Sequence, residues 1–573
     1  MKKIISVFLA MMMVLGLSTT AFAEGEPAEN TTIKIEAPAS GTGTTTARTY
    51  KAYRLLNLET SHKEEGHDYE CPYDENDPDS THVDECYNYA YTLNADYADI
   101  LKAEVYDHAT EAFWTEIQEI KPAEANDITE EQVLKYLSKH TNDGGTVFGT
   151  LRAVADRLYR DILAVPELAN DPDGTLATGT NTGFAQGYWL IADTTDLDEK
   201  VDDSNSVALL DTKTEAEIVL KPKTALPLVE KKVKDINSSE QVNSLDLAWV
   251  DSADRNMGDE VPFKLTATLP ANLEAYDTYT MTFHDTLSAG LTLIPGTIEI
   301  HMYDTKNLAD VDNNMDGGTK LYQYNPEVAA HANYIVDTDP DDNHSLDLTI
   351  TNVKEIATAA AGKVIVVVYK AKLNEGAALG TTGNPNEVYL EFSNDPYSDD
   401  TGVTPEDEVV VYTYGLKIYK VDSLNHPLKG AGFILYKKMP DGTYAPVIRN
   451  NTDAQTGELK GENMTEFVWA GLDDGHYKLE EKTVPDGYNK MEEKHFSITA
   501  KHDNGLTEIN GGVMGSGDLG TGLVSSNIIN NTGTVLPSTG AQGTMMLIGG
   551  GSMFVIVAAV FMVTRKKMSV YAD

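Results

Sequence analysis

The residues best arranged for chemistry lie near the C-terminal end. Leu536-Pro537-Ser538-Thr539-Gly540 precedes an almost uninterrupted apolar run from Met545 to Val563, and Arg565, Lys566 and Lys567 follow it. About twenty apolar residues suffice to cross a bilayer as a helix, and a basic cluster beyond them stays on the cytoplasmic side. The pentapeptide is therefore expected just outside the membrane, in an exposed segment that Pro537 keeps extended. The other end agrees. Met1-Lys2-Lys3, the apolar stretch Ile4 to Leu17 and the small-residue site Ala21-Phe22-Ala23 make a secretory signal peptide over residues 1–23. The mature chain is expected to begin near Glu24, outside the cell. Chemistry of the turnover kind has no foothold. There is no Gly-x-Ser-x-Gly, no Cys–His pairing and no histidine cluster with metal-ligand spacing. Neither an enzyme, a cofactor nor a metal is expected.

Pentapeptide, apolar segment and basic tail in that order resemble the LPXTG cell-wall sorting signal of Gram-positive surface proteins. The resemblance implies that a sortase cleaves between Thr539 and Gly540 and passes the Thr539 carbonyl to an amine, with peptidoglycan one destination. A second amine is suggested at Glu217-Ile218-Val219-Leu220-Lys221-Pro222-Lys223-Thr224, with Pro227 close behind. A Pro-Lys dipeptide closing a β-rich segment reads as an extended linker. It resembles the pilin motif of sortase-assembled pili, which makes Lys223 the acceptor of the next subunit's threonine. Leu220 and Lys221 stand where Val-Tyr would be expected, so Lys221 remains an alternative.

Two further lysines stand on strand-like segments. Lys231 alternates with Val229 and Val233 and is expected to point inward with them, and Asn386 shares a face with Val388, Leu390 and Phe392. The all-β stretch around them looks like the central isopeptide-forming domain of backbone pilins. On that resemblance Lys231, Asp285 and Asn386 match the family's lysine, acid and asparagine, with Lys232 and Asn394 as competing choices. Farther on come Leu416-Lys417-Ile418-Tyr419-Lys420-Val421-Asp422, Tyr477-Lys478-Leu479-Glu480-Glu481 and Pro485-Asp486-Gly487-Tyr488. These closely resemble the collagen-adhesin B-type domain with its YxLxExxxPxGY box. The resemblance implies Lys420 and Asn530 as a bonded pair with Glu481 as the acid. Such a bond needs a neutral amine, an amide carbon and a protonated acid. Burial among apolar side chains supplies the first and the last, and proximity on neighbouring strands does the rest.

The elements that must position these residues are mostly strands. From Glu24 to Leu220, strand patterns at Thr31–Glu36, Thr49–Leu56, Gly187–Ile191 and Ser206–Leu210 enclose two helical stripes. One follows a capping box at Thr129-Glu130-Glu131-Gln132. The other runs through Phe148, Leu151, Val154, Ala155, Leu158 and Ile162. The expected fold is mainly β, with three tandem immunoglobulin-like β-sandwich domains, the first with helical insertions. They cover residues 24–220, 227–398 and 410–533, joined by linkers at 221–226 and 399–408. The sorting motif (536–540), membrane segment (545–563) and basic tail (564–573) complete the chain. Asp312-x-Asn314-x-Asp316-Gly317 opens like a calcium loop, but its twelfth position is Gln323 and no helix is expected beside it. It reads as a solvated turn.

Composition narrows the partners. With 44 basic against 90 acidic residues the net charge is −46, which argues against nucleic acid and suits a solvated extracellular shaft. The two cysteines, Cys71 and Cys86, lie where thiols oxidise, and a disulfide closing the short loop between them is expected. The expected function is the structural shaft subunit of a sortase-assembled pilus (fimbria) that supports adhesion. Its partners would be sortase, identical subunits, minor pilins, peptidoglycan and a host ligand. The rival is a wall-anchored monomeric adhesin, which shares every feature except a working acceptor lysine.

Overall fold

The computed structural model describes residues 30–36, 48–62, 87–140, 150–197, 204–212, 217–221, 226–237, 239, 247–328, 331–340, 342–503 and 505–532. The signal peptide, Cys71, Cys86, Phe148, Lys223 and everything from residue 533, including the sorting motif and Met545–Val563, lie outside them. Among the described residues no helix is long and apolar enough to cross a membrane.

Three β-sandwich modules follow one another along the chain. In the first, a three-stranded sheet of Gly179–Ala185, Asn30–Ile35 and Glu217–Leu220 faces a larger sheet. The larger one orders Tyr87–Leu93, Thr49–His62, Gly187–Asp193 and Val207–Asp211, with Gly174–Ala177 on the long second strand. Every residue of Gly187–Asp193 is buried. Trp189 and Ile191 pack toward the small sheet, and Tyr188, Leu190 and Ala192 pack against helices on the other face. A strand covered on both sides needs no polar alternation. The capping box forms: the Thr129 side chain accepts from Gln132 N, and Gln132 Oε1 accepts from Thr129 N, at the start of helix Glu130–Lys139. Helix Leu151–Leu163 buries Val154, Ala155, Leu158 and Ile162. Two further helices, Ala98–His108 and Glu111–Ile117, not expected from the sequence, join the same core through Leu101, Val105, Phe113 and Trp114.

The central module stacks two six-stranded paths around one large core. One sheet runs Trp249–Val250, Val229–Lys234, Glu260–Thr268, Val364–Leu373, Leu291–Tyr303 and Thr319–Gln323. The other runs Ser252–Asp254, Asp407–Tyr412, Asn384–Ser393, Met281–Leu287, Leu346–Ile350 and Tyr334–Asp337, with Thr401–Val403 paired to Asn384–Ser393. This corrects the expected boundary at 410. The stretch 399–408 is no free linker, and Asp407–Tyr412 belongs to the central sheet, where Val409 and Val411 are buried. The single residue Thr413 separates it from the next strand, Tyr414–Asp422.

In the third module Tyr414–Asp422 lies between Glu466–Leu472 and a parallel partner, Leu523–Asn530. The facing sheet is built on Gly432–Lys438, Gly475–Thr483 and Lys494–Lys501. The modules touch. Tyr397 of the central module donates to Asp156 at 2.7 Å and packs edge-on to Tyr159, while Arg160 reaches Asp277. At the other junction Thr381 N donates to Leu519 O at 2.8 Å and Met257 N to Gly471 O at 2.9 Å.

Candidate isopeptide sites

Alternation along Val229–Lys234 places Lys231 inward between its half-buried neighbours, with no exposed surface at all. Asp285 and Asn386 arrive from the opposite sheet. Asp285 pairs with Val388, and Asn386 with Leu287, so the two point from adjacent strands onto the same inner face. Both are fully buried. Lys231 Nζ meets the Asp285 carboxylate, lies 2.6 Å from Asn386 Oδ1 and donates to Glu387 O at 3.1 Å. The Lys231 backbone N–H is fixed by Asp407 at 2.6 Å.

Burial dominates the electrostatics of this set. It pushes the Lys231 amine below its ordinary range, against the opposing pull of Asp285, and raises Asp285 above the usual carboxylate range. Both shifts favour the neutral amine and the protonated acid. Tyr369, on the Val364–Leu373 strand, had no signal in a single sequence. Its hydroxyl donates to Asp285 at 2.8 Å and accepts from Asn386 Nδ2 at 2.7 Å. It therefore links the acid to the nitrogen that an amine attacking the Asn386 amide would expel. The competing choices part company with the set. Lys232 points outward to Asp251 and Glu230, and Asn394 is buried beside the first module, where its backbone carbonyl accepts from Asn205 N.

The third module builds its set differently. Lys420 and Asn530 lie on neighbouring parallel strands of one sheet. Lys420 is in register with Ile528, so Asn530, two residues on, shares its face. Glu481 comes from the facing sheet. All three are buried. Asn530 Nδ2 donates to both Glu481 oxygens at 2.8 and 3.0 Å, and Met491 N donates to the same carboxyl at 2.8 Å. Lys420 Nζ donates to the carbonyls of Val421 and Ile528 at 3.2 and 3.1 Å. Burial lowers its pKa to about 8. Asn530 Oδ1 accepts no hydrogen bond among the described residues.

Lys221 ends the Glu217–Leu220 strand with an exposed side chain 3.3 Å from Glu36. Lys223, Cys71, Cys86, Leu536, Pro537, Ser538, Thr539 and Gly540 lie outside the described residues. A short helix, Lys306–Val311, precedes the acidic loop at Asp312, which corrects the expectation that none would flank it. The Asp312 carboxylate accepts from the backbone N–H groups of Asn314, Met315 and Gly317 and from Tyr303 OH. In the first module the buried cation is Arg48, which pairs with Asp193; among the described residues no buried lysine stands there.

Residues 415–512 match the family model of the prealbumin-like fold domain (SpaA), and residues 528–569 match that of the LPXTG cell wall anchor motif. The chain thus carries a cell wall anchor. A curated relative, the trypsin-resistant surface T6 protein of Streptococcus pyogenes serotype M6, is 24% identical over 293 residues. That alignment covers 48% of this chain and 46% of the relative, so the chain spans about half the length of the relative it matches. The solved structure of the T6 backbone pilin of serotype M6 Streptococcus pyogenes is 15% identical. It covers 90% of this chain and 100% of its own, at a TM-score of 0.46. The full-length major pilin SpaD of Corynebacterium diphtheriae is 16% identical with the same coverage and a TM-score of 0.40.

Proposed function

We propose that this chain is the structural shaft subunit of a cell-wall-anchored surface pilus, polymerised by a sortase and reinforced by internal Lys–Asn isopeptide bonds. The observation that carries the reading is the solvent-free meeting of Lys231, Asp285 and Asn386 across the two sheets of the central module. The anchor match and the second buried set, Lys420, Glu481 and Asn530, support it.

Within each set the uncharged lysine amine attacks the side-chain amide carbon of the asparagine. A new C–N bond forms, the old C–N bond breaks, and the acid carries one amine hydrogen to the departing nitrogen, which leaves as ammonia. In the central module Tyr369 is the bridge for that proton; in the third, Glu481 touches the nitrogen directly. Each event happens once per chain, so this is self-processing, and toward other proteins the chain is a sortase substrate. Between subunits the sortase joins the Thr539 carbonyl to Lys223 of the next copy, and the last copy is joined to peptidoglycan. Head-to-tail joining of this kind makes an open filament. Identical copies, minor pilins and a host ligand complete the partners.

The test has two readouts. The mature protein is expected to be one ammonia lighter than its sequence mass for each bond, and Asp285→Ala and Glu481→Ala each restore one. On cells, Lys223→Ala abolishes the high-mass ladder and leaves anchored monomer, whereas Thr539→Ala removes both. A ladder that survives Lys223→Ala but not Lys221→Ala moves the acceptor. A parent cell with no ladder at all makes the protein an anchored monomeric adhesin.

A further inference from the structure

We propose that His284, His344 and Asp347, with Asp342 at the rim, form a binding site for one divalent transition-metal ion of the zinc class. The site lies on the outer face of the central module, behind the strand that carries Asp285. His284 follows directly from register: neighbours on a strand face opposite ways, so while Asp285 points to the core, His284 points out. Across the sheet it is flanked by Tyr389 on one side and Asp347 on the other. His344 enters from the turn just before Leu346–Ile350. The histidines are 60 residues apart in the chain, which is why no short spacing announced them.

Three donor atoms converge. His284 Nδ1 lies 2.8 Å from Asp347 Oδ1 and 3.2 Å from His344 Nδ1, and His344 Nδ1 lies 3.1 Å from the same carboxylate oxygen. Asp342 Oδ2 is 3.1 Å from His344 Nδ1. Ligands bonded at about 2.0–2.1 Å around a tetrahedral zinc ion stand about 3.3 Å from one another. The observed separations are close to the edges of that tetrahedron. The side chains of His284, His344 and Asp347 are 11%, 15% and 18% exposed, so the group is held in the sheet yet open at one side.

The distal ring nitrogens make the stronger argument. His284 Nε2 faces Glu391 at 3.2 Å, and the His284 ring stacks on Tyr389. A carboxylate only accepts, so Nε2 carries a hydrogen toward Glu391, while Nδ1 faces Asp347 Oδ1 and sheds its own hydrogen when a metal ion takes the place between them. His344 Nε2 lies 3.3 Å from Tyr389 OH, a group that can accept its hydrogen when Nδ1 binds a metal. A histidine that gives its far N–H to a carboxylate is the usual support for a metal-bound imidazole. Two ring nitrogens and an anionic oxygen this close repel one another unless something positive joins them. Hydrogens on the two Nδ1 atoms can join each ring to Asp347 but leave the two nitrogens 3.2 Å apart with nothing to bridge them, whereas a metal ion takes all three atoms at once. Imidazole with carboxylate favours zinc, copper or nickel over calcium, and the net charge of −46 draws cations to the surface.

The test titrates zinc into the metal-free mature chain, with dialysis equilibrium and metal analysis as readout and melting temperature alongside. One zinc ion per chain is expected, displaced by nickel but not by calcium, with a rise in melting temperature. His344→Ala, in a turn, should keep the metal-free melting temperature and lose that ion. Glu391→Gln should weaken binding about 10–100-fold without removing a ligand. Zinc bound with the same stoichiometry and affinity in the parent, His344→Ala and Glu391→Gln proteins would overturn the site, as would a parent that retains none. Neither readout depends on the isopeptide bonds.

Discussion

At the scale of single residues, the decisive quantity is the cost of keeping a lysine dry. Lys420 is fully buried, and its pKa falls from an ordinary 10.5 to about 8 because desolvation penalises the ammonium form more than the nearby Glu481 and Asp422 favour it. Bond formation removes that cost by turning the amine into an amide that no longer titrates. In an Asn530→Ala protein the amine persists. Between pH 8 and 10.5 the unfolded chain then holds a proton that the folded one lacks, so stability rises with pH across that window. It should be lost again as pH falls toward 8, by about 3 kcal/mol. Urea unfolding at pH 7.5 and 10 measures it. The parent should show no such lysine-dependent rise, and equal pH slopes for the two proteins would refute the account.

At the scale of elements, the junction between the second and third modules depends on backbone approach. Gly380 has φ of +70°, and a Cβ there would lie 2.4 Å from Leu519 O and 2.6 Å from Gly522 N. Gly362 also has positive φ, +78°, but nothing stands within 4 Å of its missing Cβ. The pair separates strain from collision. Gly362→Ala should cost about 1–3 kcal/mol, as a non-glycine residue held in that region does. Gly380→Ala should cost more and should open the 413 junction to limited proteolysis, with the intact mass still showing both ammonia losses. Equal costs, with the junction still protected, would mean that the modules dock without this contact.

At the scale of the whole molecule, the proposed shaft role would require the chain to carry tension along its length. Force would then enter the central module near Leu226 and leave through Asp407–Tyr412. The link between Lys231 and Asn386, 155 residues apart, would carry the load past everything between them. Pulling single mature chains should therefore give no long extension step from this module. Asp285→Ala should add one of about 500 Å, since each released residue contributes about 3.3–3.6 Å. The same long step in the parent chain would show that the load is not shunted.

Much of this was legible in the sequence because it depends on local period and local chemistry. Two-residue alternation aimed Lys231 and Asn386 inward, as the burial along their strands shows. The Thr129 capping box is a four-residue device, and its hydrogen bonds form as written. The sorting motif, within the stretch 528–569 that matches the cell wall anchor model, is a linear signal that needs no fold. Other features were decided only by tertiary contact. The Asp407–Tyr412 strand read as the end of a linker and the start of the third domain because its partners, Ser252–Asp254 and Asn384–Val388, are far away or hidden in register. Tyr369 is one of several tyrosines on strands, and only packing brings its hydroxyl between Asp285 and Asn386. His284 and His344 meet because a sheet places side by side residues that the chain keeps 60 apart. Alternation tells a strand which side chains face inward. It does not tell which strand lies beside or opposite, and the Lys231, Lys420 and His284 sets are each made by more than one strand.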